Sequence, residues 1–178
     1  IESLAAQAAQ EPGVDEQHNR IYQEAMAKIE SGHSDIAQAL LLECIQKNPE
    51  SPHAYYQIAR LQADAGHLAR AQHWLQQTLN HDPLMAEAHY TLGLVYQEQG
   101  EFDTAIFQFN KILYLVPEFI LAHFGLSILY QKTGQNKEAE RHRSHAIRLV
   151  SQLPPDAVLF ASDGLTAARA LKMMTPEQ

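Results

Sequence analysis

Residues 86–119 read AEAHYTLGLVYQEQGEFDTAIFQFNKILYLVPEF, and the placing of their glycine, alanine and proline decides the fold. A shift of 34 residues in either direction reproduces the punctuation: Gly32, Gly66, Gly100 and Gly134; Ala37, Ala71, Ala105 and Ala139; Pro49, Pro83 and Pro117. A fixed period of this length marks an array of one repeated supersecondary unit. Apolar residues recur at helical spacing on both sides of the glycine, so each unit reads as two helices joined by a turn. Glycine permits the positive-φ turn, alanine lets two backbones approach closely, and proline, having no amide donor, stops the second helix. One such pair leaves an apolar face in water, so the pairs must stack. The expected class is all-α: a solenoid of four helix-turn-helix repeats at 18–51, 52–85, 86–119 and 120–153.

Outward from this unit the pattern degrades at both ends. Residues 1–17 are rich in Ala and Gln, are interrupted by Pro12-Gly13, and read as a linker or short helix. The first repeat carries Glu24 in place of the usual large apolar residue and Lys28 in place of the usual Tyr, which suits a solenoid end facing solvent. Its stripes run through Ile21, Ala25, Met26 and Ile29, then Ile36, Ala37, Leu40, Leu41, Cys44 and Ile45. Beyond Leu153 the period ends at Pro154-Pro155, and residues 154–178 read as a C-terminal capping helix and tail. Ser162 or Asp163 is placed to cap that helix, whose apolar face would run Leu165, Ala168, Leu171 and Met174 over the open end of repeat four.

The composition narrows function. A net charge of −8 argues against binding nucleic acid by phosphate neutralisation, and no apolar run reaches membrane-spanning length. The opening IESLAAQAAQ has neither a secretory apolar core nor a starting Met, so Ile1 reads as a cut end and the chain as a fragment of a longer protein. One cysteine cannot form an internal disulfide, and a cytoplasmic setting is the simplest inference.

No catalytic signature stands out. The eight glycines are scattered, without G-x-G-x-x-G or a phosphate loop, and nothing alternates as strands. Among ten histidines, His142 and His145 share a helix face, but no Cys or carboxylate completes a ligand set, so no metal site is expected. Cys44 stands where Thr78, Ile112 and Ala146 stand in later repeats, and no histidine lies at a suitable offset in its unit to activate it; it reads as a buried, inert thiol. Lys137, Arg141, Arg143 and Arg148, diluted by Glu138 and Glu140, form a basic strip that is a solvated face or a dock for an acidic partner.

The third unit, with Ala88, Tyr90, Leu92-Gly93, Tyr96, Gly100, Ala105, Phe109 and Pro117, resembles the tetratricopeptide repeat (TPR). The resemblance implies a right-handed stack whose first helices line a concave groove through positions two, five, nine and twelve of each repeat. Those positions are Asn19, Tyr22, Met26 and Ile29; His53, Tyr56, Arg60 and Ala63; Glu87, Tyr90, Leu94 and Gln97; Leu121, Phe124, Ile128 and Gln131. Tyr22, Tyr56, Tyr90 and Phe124 would form an aromatic ladder, either exposed to a partner or packed on the next helix. The expected protein- or peptide-binding groove comprises Tyr22, Met26, His53, Tyr56, Arg60, Tyr90, Leu94, Leu121, Phe124 and Ile128. A clamp for chaperone-tail carboxylates would need Lys and Asn where Tyr22 and Met26 stand. His89 and His123 take the place of the family's Trp and read as structural.

A narrower likeness lies at the C-terminal end. YLVPEFILAHFGLSILYQKTGQNKEAERH (Tyr114–His142) and LPPDAVLFASDGLTAARAL (Leu153–Leu171) resemble the TPR extension of CheR-type chemoreceptor methyltransferases. There the last repeat commonly reads PDF-x-LAHF, and a tail close to LPPD-x-VL-x-SDGLTA-x-RL follows. Pro117, Phe119, Leu121, Ala122, His123 and Phe124 match, then Pro155, Asp156, Val158, Leu159, Ser162, Asp163, Gly164, Leu165, Thr166 and Ala167. The likeness implies a preceding domain that methylates receptor glutamates with S-adenosylmethionine, this chain itself holding no cofactor and catalysing nothing. Its partner would be a chemoreceptor, another signalling protein or that catalytic domain. A generic assembly scaffold, in secretion or pilus biogenesis, would present the same groove, and a metal or thiol enzyme is the remaining alternative.

Overall fold

The computed structural model describes residues 14–162 and 164–175. Eight helices form four pairs: α1 (Val14–Glu30) with α2 (Ser34–Lys47), α3 (Pro52–Asp64) with α4 (Leu68–His81), α5 (Ala86–Glu98) with α6 (Phe102–Leu115), and α7 (Ile120–Lys132) with α8 (Asn136–Val150). A ninth, α9 (Ala167–Met174), packs on α8. Each helix packs most closely on its partner and next on its neighbour in sequence, giving the one-dimensional stack of a solenoid. Helix α1 begins at Val14, ahead of the residue where the repeat period starts; residues 1–13 lie outside the described residues.

The periodic residues act as their chemistry requires. Gly32, Gly66, Gly100 and Gly134 adopt φ of 77°, 74°, 80° and 78°. After each, a backbone amide returns to the helix just ended, as His33 N–H does to Lys28 O and Glu101 N–H to Tyr96 O, both at 2.9 Å. Between repeats, Asn48 Oδ1 accepts from Glu50 N–H and Asp82 Oδ1 from Leu84 N–H, fixing the turns around Pro49 and Pro83. His89 and His123 staple the later repeats: their Nε2–H groups donate to Pro83 O at 3.0 Å and Pro117 O at 2.9 Å.

The core runs as three linked clusters. Ala25, Ala37, Leu41, Cys44, Ala54 and Ile58 fill the first. Ala59, Ala71, Leu75, Ala88, Leu92 and Val95 fill the second, and Trp74 packs against both. The third centres on Phe109, whose ring lies between α5 and α7 at two glycines: a Cβ at Gly93 would meet it at 2.6 Å and one at Gly125 at 2.8 Å. Cys44 is buried, and burial pushes its thiol up to about 11. A histidine does lie beside it, contrary to the expectation from spacing. His18 Nδ1 reaches the carbonyl of Cys44 at 3.3 Å, while the thiol itself faces the carbonyl of His18 at 3.8 Å. The ring nitrogen thus meets the backbone carbonyl and not the sulfur.

The tail departs from its expected form. Residues 157–162 and 164–166 form a loop ahead of the last helix, tied by Leu159 N–H to Leu165 O at 2.9 Å and Ala167 N–H to Ala157 O at 2.8 Å. The cap of α9 is Thr166, whose hydroxyl accepts from Arg169 N–H. Ser162 instead serves the loop, donating to Leu159 O and accepting from Leu165 N–H; Asp163, the other expected cap, lies outside the described residues. The covering face is Ala167, Ala170 and Met174 with half-buried Leu171, while Ala168 points to solvent.

Candidate functional site

A pocket of about 240 Å³ opens on the first-helix side of repeats two and three. Helix α3 contributes Tyr56, Arg60, Ala63 and Asp64, and α5 contributes Tyr90, Thr91, Leu94, Val95 and Glu98. Residues four apart on one helix share a face, and two helices held in repeat register bring their matching faces together. Leu68 closes one end of the pocket, and Ala161 and Ser162 of the tail loop form a wall. That wall is held in an unusual conformation, because Ala161 sits at φ 57°, in the left-handed region that costs a residue with a Cβ.

Four of the ten expected groove residues meet in this pocket: Tyr56, Arg60, Tyr90 and Leu94. Leu94 is 36% exposed, a large apolar side chain open to solvent within it. The other six lie elsewhere. Tyr22 and Met26 sit half-buried on repeat one, and His53 is exposed on α3. Phe124 and Ile128 are half-buried on α7, and Phe124 packs into the third core cluster. Leu121 was expected to line the groove but is only 6% exposed. It belongs to the third core cluster together with Leu159 of the tail, and with Val158, Leu159 and Phe160 it lines a separate cavity beside Phe119. Repeat position alone could not reveal this, since these tail residues come from outside the repeats.

The aromatic ladder both packs and faces the groove. Gln57 Nε2 donates to the Tyr22 hydroxyl at 3.5 Å, and the Tyr56 hydroxyl pairs with Thr91 Oγ1 at 3.4 Å. Each hydroxyl thus reaches the residue 35 positions on, in the next repeat. Burial, opposed by the bond from Gln57, raises the Tyr22 phenol above its ordinary value. The Tyr90 ring lies 5.7 Å from Phe109 and 5.4 Å from Phe119, so one edge belongs to the core and the rest to the pocket.

The basic strip on α8 is partly internally satisfied. Arg141 pairs with Glu138 at 3.5 Å, Arg143 donates to Gln131 Oε1 at 3.1 Å, and Arg148 lies 3.2 Å from a nitrogen of His145. His142 and His145 turn inward to meet His123: the two Nδ1 atoms of His123 and His142 are 2.9 Å apart, and the His145 ring centroid is 4.3 Å from that of His123. One ring must donate and the other accept, so a proton on both is opposed. Burial, with neighbouring positive groups, holds His142 down to about 4 and lowers His123 as well. Among the described residues, no three His, Cys, Asp or Glu side chains are grouped to hold a metal ion.

Spacing also concealed part of the pocket. Asp64 and Glu98 stand 34 residues apart and end α3 and α5 in register, a signal present in the sequence but outside the four groove positions. Ala161 and Ser162 carried no such signal.

A family model for the tetratricopeptide repeat matches residues 22–71 and 56–118. Among solved structures, the chain is similar to MamA, at 24% identity over 76% of this chain and 79% of that one, with a TM-score of 0.71. It is similar to MamA 41-end from Desulfovibrio magneticus RS-1 at 21% identity, over 78% and 82% of the two chains, with a TM-score of 0.69. A further likeness is to YrrB, described as a TPR protein with an unusual peptide-binding site: 16% identity, 74% and 68% coverage, TM-score 0.65. At these identities the likeness is one of fold. No curated protein sequence matches the chain.

Proposed function

The chain belongs to the tetratricopeptide repeat family, and from that premise we propose that it binds a short protein segment in the pocket shared by α3, α5 and the tail loop. One observation carries the reading: Tyr56, Tyr90 and an exposed Leu94 converge on a single concavity in a family of protein-interaction modules. Among the described residues no helix is long and apolar enough to cross a membrane. The test is selection of random dodecapeptides displayed on phage, followed by the affinity of a synthetic winner for Leu94→Glu and Tyr56→Ala. Both variants should weaken binding more than tenfold with helical content unchanged. Failure to select any peptide sensitive to these substitutions refutes the reading.

For the parent protein, we propose the regulatory or targeting domain of a cytoplasmic CheR-type chemoreceptor methyltransferase. Support comes from the matching residues between Pro117 and Phe124 and between Pro155 and Ala167. The tail adds a physical reason for that second match: Leu159, Ala167 and the Ser162 hydroxyl build the loop that walls the pocket. S-adenosylmethionine would belong to the catalytic domain alone. A scaffold in another assembly would use the same pocket, and the two readings part on the partner. Titration with a chemoreceptor cytoplasmic domain and with a CheR-type catalytic domain decides between them, since binding neither favours the scaffold.

A further inference from the structure

The pocket has an acidic rim laid down at the repeat period. Glu30, Asp64 and Glu98 are the last residues of α1, α3 and α5, all three are exposed, and Asp64 and Glu98 line the pocket. The same position in repeat four is Lys132, whose ammonium lies over the Phe102 ring at 5.3 Å. A carboxylate in the last turn opposes the helix dipole, which favours cations there. Local helix stability therefore does not account for three acids at three helix ends. Among the described residues no salt bridge joins Asp64 or Glu98 to a cation, Arg60 included, although Arg60 lies one turn from Asp64 in the same pocket. Arg60 itself has an interaction partner.

We infer, on the basis of the binding function proposed above, that the pocket takes a segment combining an apolar anchor with a Lys or Arg. The anchor packs on Tyr56, Tyr90 and Leu94, and the cation reaches Asp64 and Glu98. Tyr90, Leu94 and Glu98 are spaced four apart along α5, so the Tyr90 end of the anchor lies about 12 Å from the rim along the helix axis. An extended peptide covers that distance in about four residues. The net charge of −8 steers a basic segment toward the protein as well.

The dodecapeptide selection separates this inference from the reading beneath it. Enriched sequences should place Lys or Arg about four residues from Leu or an aromatic residue, on either side, because peptide direction is left open. For the synthetic winner, measured by fluorescence anisotropy on the full chain, Asp64→Asn with Glu98→Gln should weaken binding about fivefold at low salt. Added salt should erase most of that difference. Enriched peptides that are neutral or acidic at that spacing, yet still depend on Leu94 and Tyr56, overturn the inference and leave the binding site standing. Basic peptides whose affinity ignores the Asp64/Glu98 double substitution overturn it too. Loss of any dependence on Leu94 and Tyr56 overturns both.

Discussion

Replacing Gly93 with Ala tests how tightly one ring ties repeats three and four together. Gly93 lies inside α5, and α-helical Ala is favoured over Gly by about 1 kcal/mol when nothing else changes. Here a Cβ would stand 2.6 Å from Cε1 and 2.9 Å from Cδ1 of Phe109, and the ring cannot slide away because Gly125 of α7 holds its opposite edge. Phe109 has no exposed surface. Overpacking of this kind costs about 1–3 kcal/mol, so after the helix-propensity gain a net loss of up to about 2 kcal/mol is expected in urea denaturation followed by far-UV circular dichroism. The same substitution beside Phe109→Leu should reverse sign. Leu is what repeats one and two carry at this position, as Leu41 and Leu75, and it leaves room for the methyl group. Gly93→Ala should then stabilise by about 1 kcal/mol, for a coupling of about 1–3 kcal/mol across the double-mutant cycle. A Gly93→Ala variant more stable than its parent while Phe109 is intact would show that the ring is not wedged between the helices.

Acid should weaken repeat four through its histidines. His142 is held neutral when folded, down to about 4, whereas the unfolded chain protonates it near 6.5. Stability present above pH 6.5 is therefore lost as the pH falls toward 4. Allowing for its partial access to solvent, the loss attributable to His142 is about 1 kcal/mol by pH 5. Denaturation midpoints of the parent and His142→Gln at pH 7.5 and pH 5 check this, and equal pH slopes would contradict it. Cys44 should resist a thiol reagent at pH 8 until the chain unfolds; labelling at the rate of a free thiol in native protein counts against its burial. Truncation after Leu153 removes buried Leu159, Ala167, Ala170 and Met174 and should cost more than about 3 kcal/mol. An unchanged melting temperature would mean the tail covers nothing.

The repeat architecture was legible because its causes are local. Glycine at Gly32, Gly66, Gly100 and Gly134 answers to a backbone angle within a few residues, and the apolar stripes answer to the period of one helix. Tyr56, Arg60, Tyr90 and Leu94 could be brought together on paper because stacking repeats in register is a translation of the same unit. Leu121 departs for the complementary reason: its surroundings include Leu159 and Phe160, which obey no period. The cap of α9 was misplaced in the same way, since Ser162 meets the local rule for a helix start but is consumed by a loop that closes first.

The order of residues alone therefore determined the helix pairs, their turns and the face each presents, because those follow from dihedral preference and apolar periodicity at short range. Only the tertiary structure decided that the tail turns back as a wall of the pocket and that His18 anchors the backbone at Cys44. It also decided that His123, His142 and His145 turn toward one another. Each of these joins residues from different helices or from outside the repeats, where burial and packing rather than spacing select the partner.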